Sequence, residues 1–306
     1  MAEPRYWLRA GTLAAEIRPS YGGRITRFAR EGGQDFFRPT PDQPGDVHSP
    51  FKSGCYPLVP YSNRIDHGRF AFRGRDFVLP PHPQASPHAM HGHGSVSAWT
   101  VLARAADRIL ITYRHPAGSW PFDYEAIQDI RLKPEQGLVV RIAVTNLSDQ
   151  EMPVGLGLHP FFDLGPGTRV RFRARQLWLA GPDFLPHTRL PVPPELDFSA
   201  GGEIGEAPRD HGFEGWDGRA RIDWVGRNEG MTIDADAVLG HLILHRPREL
   251  PYFCLEPVSH VTNAFNLANA GHDDTGMRCL APGETLAASC CFAPAPAAVG
   301  NPRGAI

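Results

Sequence analysis

The sequence has little net charge, no long apolar run and no recognisable cysteine pairing, and each absence removes a class of function. Its 306 residues carry 31 basic against 33 acidic side chains, a formal charge of −2. Such a balance offers no electrostatic reason to bind nucleic acid or an anionic membrane. No stretch of about 18 apolar residues is present, so no membrane-spanning helix is expected. The opening residues, Met1-Ala2-Glu3-Pro4-Arg5, lack a charged segment followed by an apolar run and do not read as a secretory signal. Cys55, Cys254, Cys279, Cys290 and Cys291 are odd in number and form no C-x-x-C pair. They indicate neither a disulfide framework nor a zinc ribbon and suit reduced thiols in a cytoplasmic protein. Also missing are G-x-S-x-G, a P-loop and a strand–G-x-G-x-x-G–helix signature; Val154-Gly155-Leu156-Gly157-Leu158 is only a fragment of the last. No segment sustains a 3.6-residue period, which excludes a helix bundle or coiled coil, and no strand–helix alternation suggests a Rossmann or barrel fold.

What is there points to strands. The 17 Phe, 7 Tyr and 6 Trp supply enough apolar surface for a core. The 32 Gly and 31 Pro are spread along the chain, as short strands joined by turns require. Strands are predicted at 108–113, 138–145, 168–178, 221–225, 231–235, 241–245, 252–255 and 285–292. In 168–178, Val170, Phe172 and Ala174 alternate with Arg169, Arg171, Arg173 and Arg175. This is the pattern of an antiparallel sheet with one wet side, so the arginines read as a solvated face rather than an anion site. The Pro-rich stretches 80–87 and 181–194 read as loops, the second long enough to border a site. The expectation is one large all-β, sandwich-like domain from about residue 5 to about 295, with a fraying tail after Pro294.

Five segments place polar residues in apolar or turn-rich surroundings: 56–65 (YPLVPYSNRI), 88–94 (HAMHGHG), 155–162 (GLGLHPFF), 209–217 (RDHGFEGWD) and 253–266 (FCLEPVSHVTNAFN). His159 among Leu158, Pro160, Phe161 and Phe162 is either a core histidine satisfied by a carbonyl or a group whose pKa burial has moved. Glu256, after Phe253-Cys254-Leu255, is either half of a structural ion pair or a buried acid. Together they form a pair whose pKa values can be brought near neutrality. Asn63 and Arg64, in a Pro-bounded loop, offer the donors and acceptor that suit a polyhydroxylated ligand. His88, His91 and His93 allow a cupin-like metal site, although Gly92 and Gly94 favour a turn and no acidic residue follows closely; no metal is expected.

Taken in order, several of these pieces resemble the aldose 1-epimerases, or galactose mutarotases. The matching stretches are GCYPLVPYSNRI at 54–65, Met90-His91-Gly92, Gly157-Leu158-His159-Pro160-Phe161-Phe162 and Leu255-Glu256-Pro257. The Tyr21-Gly22-Gly23-Arg24-Ile25 turn and the closing Leu280-Ala281-Pro282-Gly283-Glu284 are similar to the family's first hairpin and last turn. The resemblance implies a galactose mutarotase-like β-supersandwich that interconverts the α and β anomers of a free aldose without a cofactor. It makes Glu256 the general base at the C1 hydroxyl and His159 the general acid at the ring oxygen. A negative Glu256 would help keep His159 charged. Arg64 and His91 match sugar-binding positions, with Asn63 beside them; a family aspartate corresponds to Asp210, with Asp217 as rival. The expected partner is a small-molecule carbohydrate, on which Phe161, Phe162, Trp99 or Trp216 could stack. After His91 the chain reads Gly92-His93-Gly94-Ser95-Val96-Ser97, without the bulky residue expected there. The competing readings are a sugar-binding module without turnover and a sugar-phosphate mutarotase, the latter needing a basic cluster that no motif places.

Overall fold

Burial alternates residue by residue along the Tyr124–Lys133 strand, with Tyr124, Ala126, Gln128, Ile130 and Leu132 turned inward. The same two-residue period organises the rest of the chain. The computed structural model describes residues 4–43, 45, 52–205, 207 and 209–298. Two large antiparallel sheets account for most of it. The first has ten strands in the spatial order Tyr6–Ala10, Leu13–Arg18, Arg24–Arg30, Cys55–Leu58, Gly157–Asp163, Tyr252–Val258, His241–Arg246, Arg209–Glu214, Gln176–Ala180 and Pro186–Pro191. The second has nine: Gly202–Glu203, Thr168–Phe172, Arg219–Trp224, Glu229–Ala235, Thr285–Pro296, Gly137–Asn146, Tyr124–Lys133, Arg108–His115 and Thr100–Arg104. Among the described residues the one α-helix is the short turn Ala264–Asn269, and no helix is long and apolar enough to cross a membrane.

The sheets share one core. Phe162 and Phe213 of the first meet Trp224 and Phe172 of the second at ring-centroid distances of 6.2 and 4.8 Å. The Trp224 indole N–H donates to the Asp163 carbonyl at 2.9 Å, tying the layers together at a polar point. The fold is the large all-β sandwich expected from the sequence. Each predicted strand is present, with two corrections: the stretch 181–194, read as a loop, holds the strand Pro186–Pro191, and one predicted run is split. The 168–178 run is not a single strand: Thr168–Phe172 belongs to the second sheet and Gln176–Ala180 to the first, and the chain crosses between layers at 173–175. Apolar alternation runs unbroken through Ala174, so periodicity could not reveal the crossing. Arg169, Arg171, Arg173 and Arg175 are exposed, as a solvated face requires. The last strand continues to Pro296, paired with Glu229, beyond the point where fraying was expected. Residues 299–306 of that tail lie outside the described residues.

Candidate active site

Five neighbouring strands of the ten-stranded sheet build the floor of a cleft. Along each, one parity of side chains enters the sandwich core: Cys55, Leu158, Phe162, Phe253, Leu255, Leu242, Leu244 and Phe213. The other parity forms a separate layer of Tyr56, Leu58, Phe161, Ile243, Tyr252, Cys254 and Val258 on the opposite face. His159, Glu256, His245 and Asp210 share that second parity. The register fixes their order: Tyr56 pairs with His159, Ile243 with Glu256, and Asp210 with His245. The ladder that pairs Gly157 with Val258 and Phe161 with Cys254 sets His159 opposite Glu256. Pro160 and Pro257 follow these two residues, and each lacks the N–H that would continue the ladder.

His159 Nε2 and Glu256 Oε1 are 3.3 Å apart. Both residues are buried, at 6% and 2% exposure. The imidazole stacks on Phe161 at 4.5 Å with planes 10° apart, and Tyr56 lies against it at 4.6 Å on an adjacent side. Tyr56 in turn covers the Arg24 guanidinium at 4.5 Å. These rings leave the imidazole little freedom to turn. Among the described residues neither His159 Nδ1 nor Glu256 Oε2 has a hydrogen-bond partner. Two buried polar atoms without partners are costly to keep and mark a place where a ligand completes the bonding.

Burial governs the charge state. It pushes the Glu256 carboxyl well above its ordinary range, and nearby Asp210 adds to the effect while Arg64 and Lys52 oppose it. Burial also pushes the His159 imidazole well down, helped by His91, His245, Lys52 and Arg24. Burial thus works against the expectation that a negative Glu256 keeps His159 charged. The dry surroundings favour a protonated carboxyl beside a neutral imidazole.

A second wall comes from the loop carrying Asn63 and Arg64. Asn63 and His91 both have left-handed backbones, with φ of 55° and 63°. They bind each other reciprocally. The His91 amide donates to the Asn63 carbonyl at 3.0 Å, and the Asn63 amide donates to His91 Nδ1 at 3.1 Å. Nδ1 is thus an acceptor, and the His91 ring proton is on Nε2. Burial and Arg64 keep this imidazole neutral. Arg64 donates to Asn63 Oδ1 at 3.3 Å, lies 3.7 Å from Asp210 Oδ2 and stacks on Phe184 at 4.6 Å. His245 Nδ1 is 3.5 Å from the same Asp210 oxygen.

All six residues singled out in the sequence, His159, Glu256, Asn63, Arg64, His91 and Asp210, line this cleft. Asp217 does not; its carboxylate accepts the Arg219 amide at 3.1 Å beside a different surface hollow. The three histidines separate: His91 enters the cleft, His88 accepts the His67 amide at 3.0 Å, and His93 stacks on His115 at 4.3 Å. Of the aromatics proposed for stacking, Phe161 lines the cleft, whereas Phe162, Trp99 and Trp216 are core. Tyr56 and Tyr252 take their place. Ser95 and Val96 line the cleft where a bulky residue was expected, and leave it open there. His245 and Lys52 were missed; the parity of His245 within its strand was the available signal. Among the described residues, two groups have potential metal-ligand atoms within 4.8 Å of one another: Asp66, His67 and His88 near the surface, and His159, Glu256 and the buried Cys254 beside them.

The family model for aldose 1-epimerase matches residues 4–293. The chain belongs to the aldose 1-epimerase family. An Escherichia coli K12 relative, the uncharacterized protein YphB, is 31% identical over 248 residues, covering 76% of this chain and 81% of its own. A crystal structure from the same organism, provisionally described as an aldose 1-epimerase, is 27% identical with a TM-score of 0.87, covering 96% of this chain and 99% of that one. A galactose mutarotase-like protein from Clostridium acetobutylicum shares the fold at 21% identity with a TM-score of 0.83, over 95% and 94% of the two chains.

Proposed function

We propose that the protein is a mutarotase that opens and recloses the ring of a free aldose, with Glu256 and His159 as its two proton carriers. The observation that carries this reading is the buried pair 3.3 Å apart on the cleft floor. The chemistry needs one proton removed and one delivered, with no electron transfer. Glu256 takes the C1 hydroxyl proton while His159 gives one to the ring oxygen. The C1–O bond breaks, an aldehyde forms, and rotation about C1–C2 exposes either face to reclosure with the roles reversed. Acid and base contributions of about 10²–10⁴ each suffice.

One proton is shared by the pair throughout. The charged arrangement, carboxylate beside imidazolium, accompanies the closed ring; the neutral one accompanies the aldehyde. Burial favours the neutral arrangement in the empty cleft, so sugar hydroxyls bonded to the carboxylate would supply the bias toward the charged one. Arg64, Asp210, His245 and the His91 Nε2–H offer donors and acceptors around a ring, and Tyr56, Phe161 and Tyr252 an apolar platform.

Polarimetry on freshly dissolved α-D-glucose and α-D-galactose, then a wider aldose panel, tests the reading. Equilibration no faster than in buffer across the panel would refute it; tight binding without turnover would identify a sugar-binding module instead. A second reading, a phosphorylated aldose, is favoured by Lys52 and His82, which join Arg24 and Arg64 around the cleft. Including glucose 6-phosphate in the panel separates the two.

A further inference from the structure

Cys254 lies beside the proton-carrying pair and takes no part in the chemistry proposed for it. It is a free thiol at 0% exposure. On its strand it shares the parity of Glu256, two residues away, and it pairs in register with Phe161 and His245. Its Sγ, a ring nitrogen of His159 and a carboxylate oxygen of Glu256 all lie within 4.8 Å of one another.

From this geometry we infer that His159, Cys254 and Glu256 form an inhibitory binding site for a thiophilic divalent ion of the zinc class. Tetrahedral zinc, with bonds of about 2.0–2.1 Å to nitrogen or oxygen and about 2.3 Å to sulfur, sets its ligand atoms about 3.3–3.6 Å apart. The His159–Glu256 separation is already 3.3 Å, so only a small side-chain adjustment brings the sulfur into range. Independent support comes from Glu256 Oε2, an unpartnered atom on a side chain more than nine-tenths buried. Thiolate and imidazole together select zinc or cadmium over magnesium or calcium. Binding displaces the protons of the thiol and of the carboxyl and releases them to solvent. An ion held there occupies both proton carriers, so it blocks mutarotation and competes with sugar. The inhibitory consequence rests on the proposed function; the binding itself rests on the three ligands.

The test titrates the full-length protein with Co²⁺ and then with Zn²⁺. Stoichiometric Co²⁺ should produce a thiolate-to-cobalt absorption band that Zn²⁺ abolishes. Cys254→Ser should lose the band, weaken zinc binding about tenfold or more and leave mutarotation intact but zinc-resistant. If Cys254→Ser does not fold, the isosteric Glu256→Gln serves, with binding as its readout, and it too should lose zinc affinity. No stoichiometric binding by the wild type, unchanged binding in both variants, or zinc that binds without slowing a mutarotating enzyme each overturns the inference. A protein with no mutarotation on any aldose fails the functional reading alone, and the cobalt band still decides the metal site.

Discussion

Asn63 and His91 clasp each other through a closed pair of hydrogen bonds, amide to carbonyl at 3.0 Å and amide to ring nitrogen at 3.1 Å. The clasp leaves His91 with a single N–H, on Nε2, to offer to a ligand. Replacing His91 by Ala should raise KM about tenfold, the worth of one hydrogen bond to a buried group, with a smaller change in kcat. Progress curves by polarimetry at several sugar concentrations measure the split; a KM unchanged within twofold would contradict a binding role.

The left-handed backbone at Asn63 gives a paired test. Asn63→Gly keeps φ near 55° accessible and removes only the Oδ1 contact to Arg64. Asn63→Ala loses that contact and adds strain of about 1 kcal/mol. Urea denaturation should find the Ala variant the less stable by about that amount.

Glu256→Gln should lower kcat by about 10²–10⁴ while preserving the circular dichroism spectrum. It should also change how stability responds to pH. The Glu256 carboxyl ionises far more reluctantly in the fold than its ordinary value of 4.5. The native state therefore holds a proton that the unfolded chain releases above that value, and wild-type stability falls as pH rises toward the folded pKa. The amide has no such proton. The variant's stability relative to wild type should grow between pH 5 and pH 8, and a constant difference would contradict the burial effect.

The rate should show a broad plateau across neutral pH, because the competent site carries one shared proton. The acid limb appears where His159 takes a second proton, which burial moves below the ordinary 6.5. The alkaline limb appears where the last proton leaves, above the usual carboxyl range. A kcat/KM profile falling by half already at pH 7 on its acid side would be inconsistent with the buried imidazole.

Gly157 starts the strand that carries His159. A Cβ there would stand 2.8 Å from the Pro257 carbonyl oxygen and 2.7 Å from Val258 Cγ1. Gly157→Ala should push the two strands apart beside Glu256, costing about 1–3 kcal/mol of stability and lowering kcat. Full activity with native stability would show that the strands yield more easily than their packing implies.

The strand content was legible because it is written in local sequence; of the cleft residues, local sequence singled out His159 and Glu256 as candidates, while Asp210 came only from resemblance to the family. Alternation marks strands, and an isolated acid or imidazole among apolar residues marks an unusual environment. The crossing at 173–175 was invisible because the alternation does not change where the chain changes sheets. His159 and Glu256 were ambiguous one at a time, since core and cleft faces of a strand are both buried here; register alone separates them. Lys52 carried no local signal; His245 carried only its strand parity, and which face of that strand meets the cleft follows from how distant strands pair. Trp99 and Trp216 illustrate the converse: chemically suited to a sugar, they are taken up by the Gly94 and Arg219 carbonyls that accept their N–H groups.

His159 and Glu256 stand on neighbouring strands in one ladder, not on loops. Main-chain pairing acts as the ruler that spaces the two proposed proton carriers, and a slip of one residue in either strand would turn its side chain into the core. The rim is under no such constraint. The exposed Phe184 segment can vary in bulk, so ligand preference can drift while the paired strands keep their dimensions.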